Sequence, residues 1–248
     1  MTFSEDDVER YARHLVLAEI GGPGQQKLAR ARVLIVGLGG VGGPAAQYLA
    51  AAGVGTLGLV DDDTVALSNL QRQVLFSTAD IGRPKVEAGA ERLSALNPGV
   101  RIETFPERLT EANADTRIAG WDVVVDGTDD FPARFAVNAA CFAAGVPLVS
   151  GALGRWEGQI GVFTGKPCYQ CLVPQSPPDA ETCARVGVVG ALAGLVGAAC
   201  ALEAVKLVTH AGSPLTGRLM LYDGLTGRAR TVEVAADPAC PVCGRDGG

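Results

Sequence analysis

The stretch that decides the fold is Val33-Leu34-Ile35-Val36-Gly37-Leu38-Gly39-Gly40-Val41-Gly42, followed by an Ala-rich run from Pro44 to Ala52. Val33 to Val36 is short, apolar and mostly β-branched, as expected of a parallel strand buried on both faces. Gly37, Gly39 and Gly42 satisfy G-x-G-x-x-G, a turn whose backbone can approach phosphate at the start of the next helix. A second apolar strand, Gly58 to Val60, ends at Asp61, about 20 residues further on, where this pattern carries the acid that accepts a ribose hydroxyl. On its own the glycine turn is also compatible with a nicotinamide dinucleotide.

The residues after Asp61 argue against redox chemistry. Asn69, Gln71, Arg72 and Gln73 lie in a polar loop from Asp62 to Ser77, Lys85 opens a helix, and Asp126-Gly127-Thr128-Asp129 ends a third strand. Arg72 and Lys85 read singly as surface charges. Both fall on the side above the strand ends, where open α/β sheets bind ligands. Together they can neutralise a triphosphate as pyrophosphate leaves. Asp129 is placed to hold Mg²⁺ against those phosphates. Asp63 is a candidate for touching nucleotide or metal, Asp62 reads as a solvated loop acid, and Asp130 as a bystander. The pattern predicts an ATP-consuming enzyme.

The rest of the chain fills in the architecture. Helical spacing covers Asp6 to Leu17, Gly21-Gly22-Pro23-Gly24 reads as a breaker, and Gln25 to Arg30 as a short helix. Further helices are predicted over 84–96, 107–119 and 133–144, with strands at 100–105, 121–126 and 147–150. This β-α alternation implies a parallel sheet with right-handed crossovers. From Gly158 the character changes: 158–163 alternates as an antiparallel strand, 167–185 is a Cys- and Pro-containing loop, and 186–202 is an uncharged helix. Strands 218–222 and 228–234 flank Gly224-Leu225-Thr226-Gly227, a hairpin signal. The fold class is α/β, a Rossmann-like, mostly parallel sheet with an appended antiparallel half and a structural zinc site. We divide the single domain, 1–248, into N-terminal helices (1–30), a nucleotide-binding part (31–150) and an antiparallel part (151–248).

At 248 residues and 48% hydrophobic, the chain can bury one large core. A net charge of −6 offers no basic footprint for nucleic acid or anionic membrane. The polar, acidic start of the chain predicts no signal peptide. The uncharged stretch 186–202 is short for a membrane span and rich in Gly and Ala, which suits a tightly packed helix or a subunit interface. Seven cysteines without an export signal point to a reducing, cytoplasmic setting. Cys168-x-x-Cys171 and Cys240-x-x-Cys243 are two thiolate pairs able to complete a closed tetrahedral Zn²⁺ site, with disulfides or free thiols as the alternatives. Cys183, beside Arg185, is either an activated nucleophile or an inert packed thiol. Cys141 and Cys200 are core positions, and His14 and His210 receive no catalytic role.

The ordered set of motifs resembles the MoeB/ThiF family, bacterial relatives of ubiquitin-activating enzymes. The resemblance rests on R-Y-A-R-H at 10–14, G-L-G-G-V-G at 37–42, S-N-L-Q-R-Q at 68–73 and G-R-P-K at 82–85. It continues through D-G-T-D at 126–129, V-S-G-A at 149–152, E-G-Q-I at 157–160 and the cysteines. It implies that Asp61 binds ribose, that Arg72 and Lys85 bind phosphates, that Asn69 and Gln73 line the nucleotide site, and that Asp129 holds Mg²⁺. It also implies a homodimer in which Arg13 reaches the partner's ATP site, and a carrier-binding role for the antiparallel part. The implied reaction adenylylates the C-terminal glycine of a small ubiquitin-like sulfur carrier ending in Gly-Gly, for molybdopterin or thiamin biosynthesis.

Asp62 and Asp130 depart from the family pattern and add negative charge near the phosphates. The chain shows no rhodanese segment, so a separate sulfur donor is expected, a cysteine desulfurase or a rhodanese-type protein. Gly247-Gly248 resembles a carrier's tail and is read as coincidence. Two other readings keep part of the pattern: a tRNA-modifying ATP-dependent dehydratase of the same superfamily, and an NAD-dependent oxidoreductase.

Overall fold

The computed structural model describes residues 3–176 and 187–244. Cys183 and Gly247-Gly248 therefore lie outside the described residues. An eight-stranded sheet runs through the molecule, built from β1 (Arg32–Val36), β2 (Thr56–Val60), β3 (Arg101–Phe105), β4 (Val123–Asp126), β5 (Leu148–Gly154), β6 (Glu157–Phe163), β7 (Arg218–Asp223) and β8 (Arg228–Glu233). Its order is β3-β2-β1-β4-β5-β6-β7-β8. Pairings from β3 to β5 are parallel and those from β5 to β8 antiparallel. The expected switch in strand direction therefore falls at β5–β6. The chain leaves β1 toward β2 on one side and returns to β4 on the other, so a crevice opens above the ends of β1 and β4.

Alternate residues of the buried strands feed two cores. Val33 and Ile35 of β1 pack on one face with α4 (Gly42–Ala51), α5 (Lys85–Leu96) and α9 (Gly190–Thr209). Leu34 and Val36 face α6 (Ala114–Ile118) and α7 (Phe131–Ala144). Gly58 in β2 gives up a side chain for this second core, since a Cβ there would sit 2.4 Å from the Trp121 ring.

Helix α9 is long and apolar enough to cross a membrane. It packs against α3 (Gly21–Arg30), α4, β5 and β6, and carries a buried carboxylate, Glu203, which accepts from the Leu215 amide at 2.8 Å. Its glycines permit close approach to the nucleotide-side loops: a Cβ at Gly197 would meet the Val41 carbonyl at 2.4 Å, and one at Gly190 the Gln71 carbonyl at 2.2 Å. Gly190 and Gly197, two of the small residues noted in the sequence, are thus packing positions. The helix extends to Thr209, beyond the expected end.

Three local expectations need correction. Gly21-Gly22-Pro23-Gly24 is the first turn of α3 rather than a breaker. Proline's missing N–H costs nothing in a first turn, where amide groups have no helical partner. The N-terminal helical region is two pieces, α1 (Glu5–Arg10) and α2 (Ala12–Leu15), which meet at buried Tyr11, whose hydroxyl accepts from Asn97 Nδ2 at 2.9 Å. Of 107–119 only α6 is helical. The Asn113 side chain satisfies the Thr110 amide and the Arg108 carbonyl, offering the backbone an alternative to the helix. A short helix, α8 (Tyr169–Leu172), sits within the cysteine loop.

Candidate active site and cysteine cluster

A cavity of about 460 Å³ occupies the crevice above β1 and β4. Its back wall is the glycine turn. Gly37 has φ +82°, a left-handed conformation that favours glycine, and a Cβ there would press on the Thr128 amide at 3.1 Å. Gly42 is tighter, since a Cβ would lie 1.8 Å from the Gly37 carbonyl oxygen. Gly42→Ala is expected to lower stability by about 1–3 kcal/mol through backbone displacement, read as a fall in the urea midpoint at unchanged slope; a wild-type midpoint would show that the turn tolerates a side chain. Gly37, Gly39 and Gly40 line the cavity, and Gly42 stands behind them at the start of α4.

The charged residues expected from the sequence converge here. Asp61, Asp63, Asn69, Arg72, Gln73, Lys85 and Asp129 all line the cavity. Asp61 directly follows β2, and its Oδ2 accepts from the Leu38 amide of the glycine turn at 2.7 Å, while Oδ1 accepts from the Asp63 amide at 2.9 Å. Lys85 is buried at the first position of α5, with its Nζ 2.8 Å from Asp63 Oδ2 and 3.8 Å from Asp61 Oδ1. Burial pushes the Asp61 carboxyl above the ordinary carboxylate range, with Lys85 pulling the other way.

This raised pKa has a sign for stability. The folded state holds the Asp61 proton more tightly than the unfolded chain, so the contribution is full below the ordinary carboxylate pKa and is lost as pH rises through the folded value. Asp61→Asn is therefore expected to remove part of the fall in unfolding free energy that sets in as pH rises above the ordinary carboxylate pKa; identical pH slopes for the two proteins would refute the assignment.

Arg72 is held by its Nη1 donating to the Ser68 carbonyl at 3.0 Å, and Asn69 by its Oδ1 accepting from Ala66. Gln73 is 4% exposed, and its Oε1 is buried without a hydrogen-bond partner. A buried unpaired acceptor on a polar cavity wall fits a ligand that brings donors, as ribose hydroxyls and an adenine amino group do. Asp129 lies exposed just past β4, and Asp62, also exposed, lines the same cavity. Asp130 is more than a bystander, because it caps α7 by accepting from the Ala133 amide at 3.0 Å and pairs with Arg108 at 2.9 Å. Arg13 is exposed on α2 and is not among the residues lining its own chain's cavity.

Two arginines of the cavity escaped the sequence reading. Arg108 sits in a loop expected to be helical. Arg134, which shares α7 with one other polar residue, Asn138, is buried and bonded to Ser150 Oγ and the Gly151 carbonyl. A lone arginine in the first turn of a helix after D-G-T-D was the available signal.

Next in the chain to Tyr169, which lines the cavity, Cys168 meets Cys171, Cys240 and Cys243, and the four sulfurs lie within 4.8 Å of one another. Cys168 and Cys240 are 3.5 Å apart, and Cys171 and Cys243 3.2 Å. These separations are far beyond a disulfide bond. They approach the spacing of about 3.8 Å that Zn–S bonds of about 2.3 Å impose on a tetrahedron. N–H donors support the sulfurs, Asn138 Nδ2 at 3.6 Å from Cys168 and the Asp237 amide at 3.4 Å from Cys171. The four residues fit a structural zinc ion. Cys141 and Cys200 are buried in the cores as expected, and burial raises the pKa of both thiols.

Comparison with known proteins places this geometry. The ThiF family model matches residues 11–242. A sulfur carrier protein adenylyltransferase of Thermus thermophilus is 46% identical, with 98% of this chain and 93% of that protein covered. A molybdopterin-synthase adenylyltransferase of Escherichia coli is also 46% identical, with 98% of each chain covered. Among solved structures, E. coli MccB with MccA-N7isoASN superposes at a TM-score of 0.84 over 95% of this chain and 75% of that one; at 23% identity this is a likeness of fold. Both of these 46% identical relatives are named adenylyltransferases, and the chain belongs to the ThiF family.

Proposed function

We propose that this protein adenylylates the C-terminal glycine of a small ubiquitin-like sulfur carrier at the expense of ATP, ahead of thiocarboxylate formation for molybdopterin or thiamin biosynthesis. The observation that carries the reading is the convergence of buried Lys85, Arg72 and Asp129 on one cavity backed by a glycine turn. The names of full-length relatives support the substrate class. Asp61 and Gln73 offer acceptors to the sugar and base, with Asn69 beside them. Lys85 and Arg72 hold the phosphates and offset charge as a carrier carboxylate oxygen bonds to the α-phosphorus. The bond from that phosphorus to the bridging oxygen breaks, and pyrophosphate leaves with the electron pair. Mg²⁺, held by Asp129, supplies charge neutralisation when bound. The contribution of the protein is orientation and preorganised charge.

Under this reading the chain is one catalytic domain whose antiparallel part, 151–248, receives the carrier and is stapled by zinc. It works in a reducing cytoplasm as a homodimer, with Arg13 offered to the partner's site. A separate sulfur donor completes the thiocarboxylate. The test is ATP–pyrophosphate exchange with candidate carriers ending in Gly-Gly, beside the same carriers lacking the last glycine. Exchange that requires one intact carrier is the expected result and names the pathway. Absence of exchange with every carrier would overturn the proposal.

A further inference from the structure

Asp129 follows β4 in a short loop, and the next helix, α7, sends a cation back beneath that loop. Arg134 Nη1 donates to Ser150 Oγ at 3.1 Å and lies 3.5 Å from Asp126 Oδ2. Arg134 Nη2 donates to the Gly151 carbonyl at 2.8 Å and to the Thr128 carbonyl. One guanidinium therefore ties the end of β4, the residue before Asp129, and β5. Asp126 grips the same residue from the other side, its Oδ1 accepting from the Thr128 amide at 3.0 Å and the Thr128 hydroxyl at 2.7 Å. Thr128 is thus fixed at its N–H, its hydroxyl and its carbonyl, and Asp129 is the next residue along.

The surroundings explain why the residue is arginine. It is 6% exposed, and burial opposes its charge, but Asp126, Tyr169 and Asp129 hold the guanidinium above its ordinary pKa. Its ring neighbour Tyr169 lies 5.9 Å away. The planar fork can serve two carbonyls, a hydroxyl and a carboxylate at once, which an ammonium on a flexible stem cannot.

We propose that Arg134 is a positioning residue that fixes the Thr128–Asp129 segment, so that the Asp129 carboxylate is already aimed at the metal-bearing phosphates before nucleotide arrives. The role of Asp129 in this inference rests on the function proposed above.

Arg134→Lys keeps the charge and loses the fork. It is expected to raise the Mg²⁺ concentration for half-maximal exchange about tenfold, and to lower kcat roughly a hundredfold, the scale of a small misplacement of a reacting group. Amide hydrogen exchange across 127–130 is expected to run about tenfold faster while β2 stays protected. Ser150→Ala, which removes one partner of the fork, should move both readouts in the same direction by less. Ile118→Val, a core change away from this network, controls for general loss of stability. An Arg134→Lys protein whose Mg²⁺ requirement and 127–130 exchange match those of Ile118→Val would overturn the proposal. Asp129→Ala separates the two inferences: exchange that survives it refutes the role of Asp129, whereas the amide exchange of 127–130 decides the positioning by Arg134 in either case.

Discussion

Lys85→Met is expected to lower carrier-dependent ATP–pyrophosphate exchange by about 10²–10³-fold, the usual cost of removing one preorganised electrostatic partner from an active site. Methionine keeps the length and volume of the side chain, so packing at the start of α5 is preserved and the loss isolates the charge. Lys85 is 4% exposed and is already fixed between Asp63 and Asp61. Its charge thus acts in a poorly solvated site, where it is worth more than a surface lysine. A second consequence distinguishes this residue from a passive phosphate contact. Lys85 is the cation that opposes the burial of Asp61, so its loss drives the Asp61 carboxyl further up. The acidic limb of the pH–rate profile should then move to higher pH in the variant, with a weaker KM for ATP as Asp61, the ribose acceptor under the proposed function, protonates. Exchange within a few-fold of wild type, with an unmoved acidic limb, would remove Lys85 from phosphate handling. Lys85→Arg retains the charge but does not reproduce a compact ammonium between two carboxylates.

Removal of thiols from the cysteine cluster is the other change expected to have a large effect, if the cluster holds the proposed zinc ion. Residues after β8 form no regular element among those described, and their cross-connections include the Val234 amide to the Gly217 carbonyl and the Asp237 amide to Cys171. The sulfurs of Cys240 and Cys243 meet Cys168 and Cys171 from the loop after β6, so a tetrahedral zinc would close this tail onto the body. The purified protein should carry about one zinc per chain by native mass spectrometry, in keeping with one closed four-thiolate site. The variant with Cys168→Ala and Cys240→Ala should carry none. Its thermal midpoint should fall by about 10 °C, which at about 2–4 °C per kcal/mol for a chain of this size is a loss of about 3–5 kcal/mol. Limited proteolysis should cut within 234–244 in the variant first. A metal-free wild-type protein with an unchanged midpoint after the two substitutions would refute the structural zinc site.

Much of this was readable from the chain because local chemistry repeats there. Val33 to Val36 read as a two-sided buried strand from its apolar, β-branched run, and the glycines at its end read as a turn that phosphate can approach. The acids at the strand ends, Asp61 and Asp126, and the paired thiols had spacings that carry their own geometry. Where the reading failed, side chains made contacts outside their own segment. Asn113 unwound the start of an expected helix by bonding to Thr110 and Arg108. Gly21 to Gly24 looked like a stop until they formed the first turn of α3, where Gly24 packs close to Thr209, far away in the chain. Asp130 became a helix cap with a partner, Arg108, that no local pattern announces.

By itself the sequence determined the parallel sheet, the glycine turn, the lysine, arginine and carboxylates first picked out beside it and the four-cysteine cluster, because strand periodicity, glycine turns and Cys-x-x-Cys pairs are properties of neighbouring residues. Only the tertiary structure decided that Lys85 is clamped between Asp61 and Asp63, and that Arg134 braces the Asp129 loop from below. Burial and hydrogen-bond partnership depend on which distant strands close over a side chain, and no local spacing encodes that.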